Sequence, residues 1–269
     1  MIDPNFVFSQ SNLQTFRYCR KRFFLRYLKQ LVWPAQPFAS DEYQQDRQAG
    51  IRLHQLIHRH FLGFDRQILL NLAQKDADQR IFIWMQTFLD SPFADLDGKL
   101  FPEKTYITNQ AGFRLSAKPD LLKIDTNGRI TIFDWKSSRR MPRRQALLES
   151  LQSKVYPLVI RGRFGANRKP PEIRMVYWEA NFPNQITEFY FGEEDHQKAL
   201  GELTALVEAI RNCQPEDFTI TEDVRRCAWC EYRSYCGRAA APGGENLFDI
   251  TEMPNDEIKI PESETQPWE

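Results

Sequence analysis

The sequence predicts an α/β fold, a mixed central sheet flanked by helices, followed by a small Cys-cluster module. Three observations carry this expectation. Apolar residues recur at helical spacing through the N-terminal third; the period changes to two between Lys104 and Trp135; and helix, strand, strand and helix then follow in turn as far as Arg211. The chain has 269 residues, 42% of them hydrophobic and 27% charged, which is an ordinary globular composition and excludes collagen-like, low-complexity and wholly disordered classes. No run approaches the roughly 18 apolar residues a membrane helix needs. The N-terminus lacks the basic start and apolar stretch of a secretory signal. A cytoplasmic protein with no membrane partner is the expectation.

The elements follow in order. Leu13, Phe16, Phe23, Phe24 and Tyr27 set a first helix over Ser9 to Tyr27, with Ser9 or Ser11 as its cap and a basic far face of Arg17, Arg20, Lys21, Arg22 and Arg26. Leu53, Leu56, Ile57 and Phe61 predict a second helix over Gln48 to Phe61, and a third covers Asp76 to Phe88. Alternation over Lys104 to Asn109, a turn at Gln110-Ala111-Gly112, a return over Phe113 to Ala117 that continues through Pro119 to Ile124, a turn at Thr126-Asn127-Gly128 and a run over Arg129 to Trp135 predict consecutive antiparallel strands. A helix over Arg144 to Val159, strands over Glu172 to Trp178 and Ile186 to Phe191, and a helix over Glu194 to Arg211 complete the fold. The division expected is a helical region 1–102, a core 103–212, a cysteine module 213–240 and an acidic, disordered tail 241–269.

Lys+Arg and Asp+Glu balance at 36 each, but unevenly along the chain. Residues 245–269 hold eight acids and one base, a charge of −7, and the other 35 bases and 28 acids leave the body at +7. A basic body permits a polyanionic partner without requiring one.

If the strands either side of Asn127-Gly128 pair, the ends remote from that turn meet, and Asp120, Asp134 and Lys136 are at those ends. Asp134 and Lys136 are two residues apart and project from one face. Two carboxylates beside an ammonium suit a hard divalent cation and a held water. A surface ion pair is the plain alternative, but Asp134 follows Ile130, Ile132 and Phe133 in a strand that should be central, where a carboxylate needs a partner. His54 and His58 share a helix face, as do Gln152 and Tyr156, while Pro157 interrupts the helix hydrogen bonding.

Cys227-x-x-Cys230-x5-Cys236 has metal-ligand spacing, with Cys19 and Cys213 as candidates for a fourth ligand, and zinc and iron–sulfur both accept such a set. Arg139, Arg140, Arg143 and Arg144 follow the Asp-x-Lys strand, and Arg225, Arg226, Arg233 and Arg238 surround the cysteines, all in reach of a phosphate backbone. Trp229, Tyr232 and Tyr235 could stack on bases or pack around the cluster.

Pro119-Asp120, thirteen residues, then Asp134-Trp135-Lys136 resembles the PD-(D/E)XK nuclease superfamily. Gly50-x-x-x-His54 and Gln152-x-x-x-Tyr156 are similar to motifs of its RecB-like branch, Glu103 stands where some members place another acid, and Ala117 replaces a common Gly. One distant Cys with a C-x-x-C-x5-C group is similar to the iron–sulfur nucleases of the AddB type and of CRISPR adaptation. The resemblance implies a restriction-endonuclease-like core and a Mg²⁺- or Mn²⁺-dependent DNA nuclease, an exonuclease on single-stranded ends in repair or recombination. It implies metal ligands His54, Asp120, Asp134 and the Trp135 carbonyl, and Lys136 on water. It further implies Gln152 and Tyr156 on substrate, and Cys19, Cys227, Cys230 and Cys236 around a 4Fe-4S cluster, with Zn²⁺ as the alternative. A helicase or integrase partner would accompany these roles. A CRISPR spacer-acquisition nuclease and a non-catalytic iron–sulfur DNA-binding subunit are the rival expectations.

Overall fold

The computed structural model describes residues 2–33, 41–165, 173–228 and 230–238, except the side chains of 41–43; Trp229 and the acidic segment 241–269 lie outside the described residues. The elements are β1 (Val7–Ser9), α1 (Gln10–Tyr18), α2 (Arg20–Phe23), α3 (Asp41–Phe61), α4 (Arg66–Gln74), α5 (Gln79–Leu89), β2 (Lys99–Pro102), β3 (Tyr106–Gln110) and β4 (Phe113–Ala117). There follow β5 (Leu121–Ile124), β6 (Ile130–Lys136), α6 (Arg144–Glu149), α7 (Leu151–Phe164), β7 (Ile173–Glu179), β8 (Thr187–Phe191) and α8 (Glu193–Arg211). This is the α/β class expected, with helices flanking a mixed sheet.

The strands form two sheets. A five-stranded sheet has the order β2-β5-β6-β7-β8, with β6 and β7 parallel and the other pairs antiparallel, and a three-stranded sheet has the order β1-β4-β3. The run Phe113 to Ile124 is therefore not one continuing strand. It breaks at Lys118-Pro119-Asp120, where the chain leaves the small sheet and enters the large one, because Pro119 offers no ladder donor.

Other departures are local. The first helix is interrupted at Cys19, whose backbone is extended (φ −160°, ψ 114°) and whose sulfur accepts the Arg22 N–H, starting a new short helix and then a π-helical turn over Phe24–Leu28. Ser9 is the cap, in a reciprocal pair with Asn12. The helix expected after Arg144 breaks at Ser150, which caps Ser153 N–H, and runs on to Phe164 with Pro157 in its first half. The short elements α4 and β2 are additions to the expected order.

The large sheet is buried on both faces. Ile130 and Ile132 of β6 face α7 and α8 together with Met175 and Tyr177 of β7. Phe133, Trp135, Val176 and Trp178 face α3, α4 and α5. That second face is an aromatic bed in which Trp135 stacks on Phe133 and Phe61 and meets Phe88 edge-on. Alternation then places Asp134 and Lys136 on the α7 face.

Candidate active site

β5 and β6 pair antiparallel across the Asn127-Gly128 turn, with Leu121 opposite Phe133, so Asp120 is delivered to the end of β6. There its Oδ2 accepts the Trp135 N–H at 2.7 Å, occupying a donor that β5 leaves unpaired. Asp134 and Lys136 share the other side of β6; Lys136 Nζ is 2.6 Å from Asp134 Oδ2. From α7, Gln152 joins the two: its Nε2 donates to Asp134 Oδ1, and its Oε1 accepts from Lys136 Nζ at 3.0 Å. Lys136 also lies over the Tyr177 ring, 5.8 Å from the centroid, and the Tyr177 hydroxyl is 2.7 Å from Ser153 Oγ.

α3 supplies the fourth predicted side chain. His54 Nδ1 is 3.1 Å from Asp120 Oδ1. One turn earlier, a Cβ on Gly50 would stand 2.8 Å from Ser137 Oγ, so the glycine lets α3 lie close to the exit of β6. Another turn earlier, Asp46 takes Arg139 in a bidentate ion pair. Asp46, Gly50 and His54 are thus one face of α3.

The charges balance locally. Burial disfavours a charged His54, but the Asp120 carboxylate outweighs it and pushes the imidazole up to about 9. Burial likewise opposes the Asp120 charge, and His54 with Lys136 holds that carboxyl below its usual range. Burial pushes Asp134 up to about 6, with the Asp120 charge adding to it and Lys136 pulling the other way. For Lys136, burial would lower the ammonium, yet the two aspartates hold it above its ordinary value.

The donors fit a hard divalent cation: two carboxylates, an imidazole and a backbone carbonyl suit Mg²⁺ or Mn²⁺. Asp134 Oδ2 is buried and, although the Lys136 ammonium stands 2.6 Å away, it accepts no aligned hydrogen bond. Among the described residues, neither here nor at the cysteines is a group of three or more His, Cys, Asp or Glu side chains gathered closely enough to hold a metal ion. A cation binds the neutral imidazole, so its binding through His54 would oppose the charged form that Asp120 favours.

Several predicted residues stand apart. Arg139 is held by Asp46, and Arg144 donates to the Glu188 carbonyl at 3.2 Å, whereas Arg140 and Arg143 are exposed on the loop after β6. Tyr156 lies one turn beyond Gln152, buried in the core of the α7 face. Glu103 pairs with Lys118 at 2.9 Å instead of turning to the site, although its N–H does bond the Asp120 carbonyl. The sequence reading missed Asp46, Tyr177 and Glu179. Asp46 could have been found from its spacing of two turns before His54; Tyr177 and Glu179 only from pairing of β7 with β6, which sets them beside Asp134 and Lys136.

The cysteine module docks on the first helices. Arg22, itself buried, pairs with Glu231 at 2.8 Å; Arg226 donates to the carbonyls of Arg17 and Tyr18; and the Tyr232 hydroxyl donates to the Leu31 carbonyl. Burial pushes the Cys230 thiol up to about 12 and also raises Cys236; Cys19 acts electrostatically on both, and Cys227 on Cys236. The four predicted thiols therefore share one neighbourhood. Two of the sulfurs accept N–H groups, Cys19 from Arg22 at 3.5 Å and Cys227 from Arg238 at 3.2 Å. Cys213 instead bonds the Ala209 carbonyl at the end of α8.

The chain is similar in structure to a protein from Eubacterium rectale named "Putative exonuclease", at 11% identity and a TM-score of 0.54, over 90% of each chain. It is also similar to the crystal structure of SSO0001, at 15% identity and a TM-score of 0.40, over 88% of this chain and 87% of that one. No curated protein matches the chain. The sequence profile of one family matches residues 7–237, and with that span the chain belongs to the PD-(D/E)XK nuclease superfamily.

Proposed function

We propose that this protein is a Mg²⁺- or Mn²⁺-dependent deoxyribonuclease that trims single-stranded DNA ends, with a 4Fe-4S cluster as a structural staple. The observation that carries the reading is the convergence of His54, Asp120, Asp134 and Lys136 at one end of β6. His54, Asp120, Asp134 and the Trp135 carbonyl would hold the cation, which when bound supplies Lewis-acid polarisation of the scissile phosphate and a more acidic water.

The remaining work falls to the chain. Lys136, whose ammonium is stabilised by the two aspartates, serves as a charged donor that orients the attacking water and receives developing negative charge. Gln152 keeps Asp134 and Lys136 in register and exchanges one of those bonds for a substrate oxygen; Tyr156, one turn on and buried in the core, anchors the helix that presents Gln152. Arg140 and Arg143 receive phosphates of the substrate strand, with Arg139 and Arg144 beside them. Cys19, Cys227, Cys230 and Cys236 would ligate the cluster, joining the first helix to the C-terminal module. The preference for ends over internal bonds follows the RecB-like motifs and the name of the Eubacterium rectale relative.

Purified protein is to be incubated with Mn²⁺ or Mg²⁺ and end-labelled single-stranded DNA, beside Asp134→Ala. Progressive shortening by the wild type, abolished by the substitution and by a chelator, is the expected result. Equal cleavage by both proteins, or none by either, would overturn the assignment.

A further inference from the structure

Glu179, the last residue of β7, has a fully buried carboxylate (0% exposed) with no ion-pair partner within 4.0 Å among the described residues. A carboxylate is costly to bury unless its oxygens are used. Here both are used, and on a single residue: Glu179 Oε2 accepts the Ser138 N–H at 3.1 Å and Oε1 accepts the Ser138 hydroxyl at 3.2 Å. Ser138 lies in the loop that leaves β6, two residues past Lys136 and two before Arg140.

Neighbouring contacts hold the same loop. Asn181 Nδ2 donates to the Ser138 carbonyl at 3.0 Å and to the Ser137 carbonyl at 3.4 Å, and Asn181 is itself fixed by Trp84 Nε1 at 2.9 Å. Ala180 N–H bonds the Lys136 carbonyl at 2.8 Å, continuing the parallel register in which Lys136 faces Glu179. From the opposite side, Asp46 holds Arg139 and α3 crowds Ser137. Without Glu179, the half-buried Ser138 N–H would lose its acceptor, and the loop would turn outward to satisfy it in water.

We propose that Glu179 is a positioning residue: through Ser138 it fixes the loop after β6, so that Lys136 and the exposed Arg140 meet the substrate phosphates in one geometry. The proposal rests on the nuclease reading above. Glu179 touches neither substrate nor cation, and it acts through the hydrogen bonds its oxygens accept.

Two substitutions of similar volume separate this role from mere filling of the core. Glu179→Leu fills the space without acceptors; Glu179→Gln keeps an acceptor for the Ser138 N–H and a group for its hydroxyl. Hydrogen exchange over residues 137–140, thermal stability, and kcat and KM for Mn²⁺-dependent cleavage of single-stranded DNA are measured on the full chain. In Glu179→Leu, exchange over the loop should rise and kcat fall about tenfold or more while KM moves less than about threefold. Glu179→Gln should stay within about threefold of wild type in both constants.

Unchanged exchange and kcat in the leucine variant would overturn the proposal, as would faster exchange with kcat intact, or a glutamine variant as impaired as leucine. Should Glu179→Leu fail to fold, Ser138→Ala removes the hydroxyl half of the clamp. A kcat reduced by about threefold supports the role, and an unchanged kcat overturns it. A wild type that cleaves nothing overturns the nuclease reading and the catalytic half of this proposal with it. The exchange comparison then stands alone, and equal exchange in wild type and leucine variant overturns the clamp itself.

Discussion

Replacing Asp134 by Asn should make the metal-free protein more stable while abolishing its activity. Asp134 has a side chain only 4% exposed, and its carboxyl is displaced from 3.8 to about 6, chiefly by burial. A group whose folded pKa is raised favours the fold fully below its unfolded value and loses that contribution as pH rises through the folded value. At about 1.36 kcal/mol per unit, the ionised Asp134 therefore costs at most about 3 kcal/mol at neutral pH. Asn is close in shape to the neutral acid and keeps the acceptor for Gln152 Nε2. Its amide NH₂ would face Lys136, which reduces the gain, but Lys136 retains the Gln152 carbonyl oxygen and the Asp120 charge.

Urea unfolding in a chelator at pH 7.5 should thus give Asp134→Asn an advantage of about 1 to 3 kcal/mol. The gap should narrow on acidification below about 6, because the wild-type carboxyl takes up its proton there. Added Mg²⁺ should raise the wild-type midpoint and leave the variant unmoved. A variant less stable than wild type at pH 7.5, with a difference that does not shrink toward pH 5, would refute the reasoning.

Gly162 in α7 offers a second test. Helix propensity alone favours Gly162→Ala by about 1 kcal/mol, but the new Cβ would press on Thr108 Oγ1 at 2.7 Å and on the Gln110 side chain, pushing α7 off β3. A net loss of about 1 to 2 kcal/mol in urea unfolding is expected, with reduced cleavage because α7 carries Gln152; a stabilised variant would count against this packing. For the cysteines, protein purified without oxygen should be brown with iron and sulfide in cluster proportion, and Cys230→Ala should lose both colour and solubility. Colourless, zinc-loaded and fully folded protein would assign the site to zinc instead.

Much of the site was legible because it is local. The Asn127-Gly128 turn determines which strand ends meet, the period of two puts Asp134 and Lys136 on one face, and the period of 3.6 aligns Gln152 with Tyr156. What escaped is long-range or concealed by a mixed pattern. In α4, Ile68 and Leu72 are exposed while Leu69 and Ala73 are buried, so apolar residues on two faces hide its period. Ser150 caps a new helix within a stretch whose apolar spacing runs on unbroken, and Cys19 does the same between α1 and α2. Pro119 marks the change of sheet, and the hairpin with β6 carries β5 into the large one, but the pairing of β2 along the other edge of β5 escaped the sequence. Glu179 reads as an ordinary strand end until β7 is laid beside β6.

The docking of the cysteine module has a bearing on how the molecule assembles. Buried Arg22 near the start of the chain finds its acidic partner at Glu231, and the Lys21 amide finds its acceptor at Thr219. A ribosome-bound chain released only as far as α8 lacks the Glu231 carboxylate and the Thr219 carbonyl that receive these two groups. The opening helices thus mature late, after the segment they receive has been synthesised, and truncation before that segment would strand them half-formed.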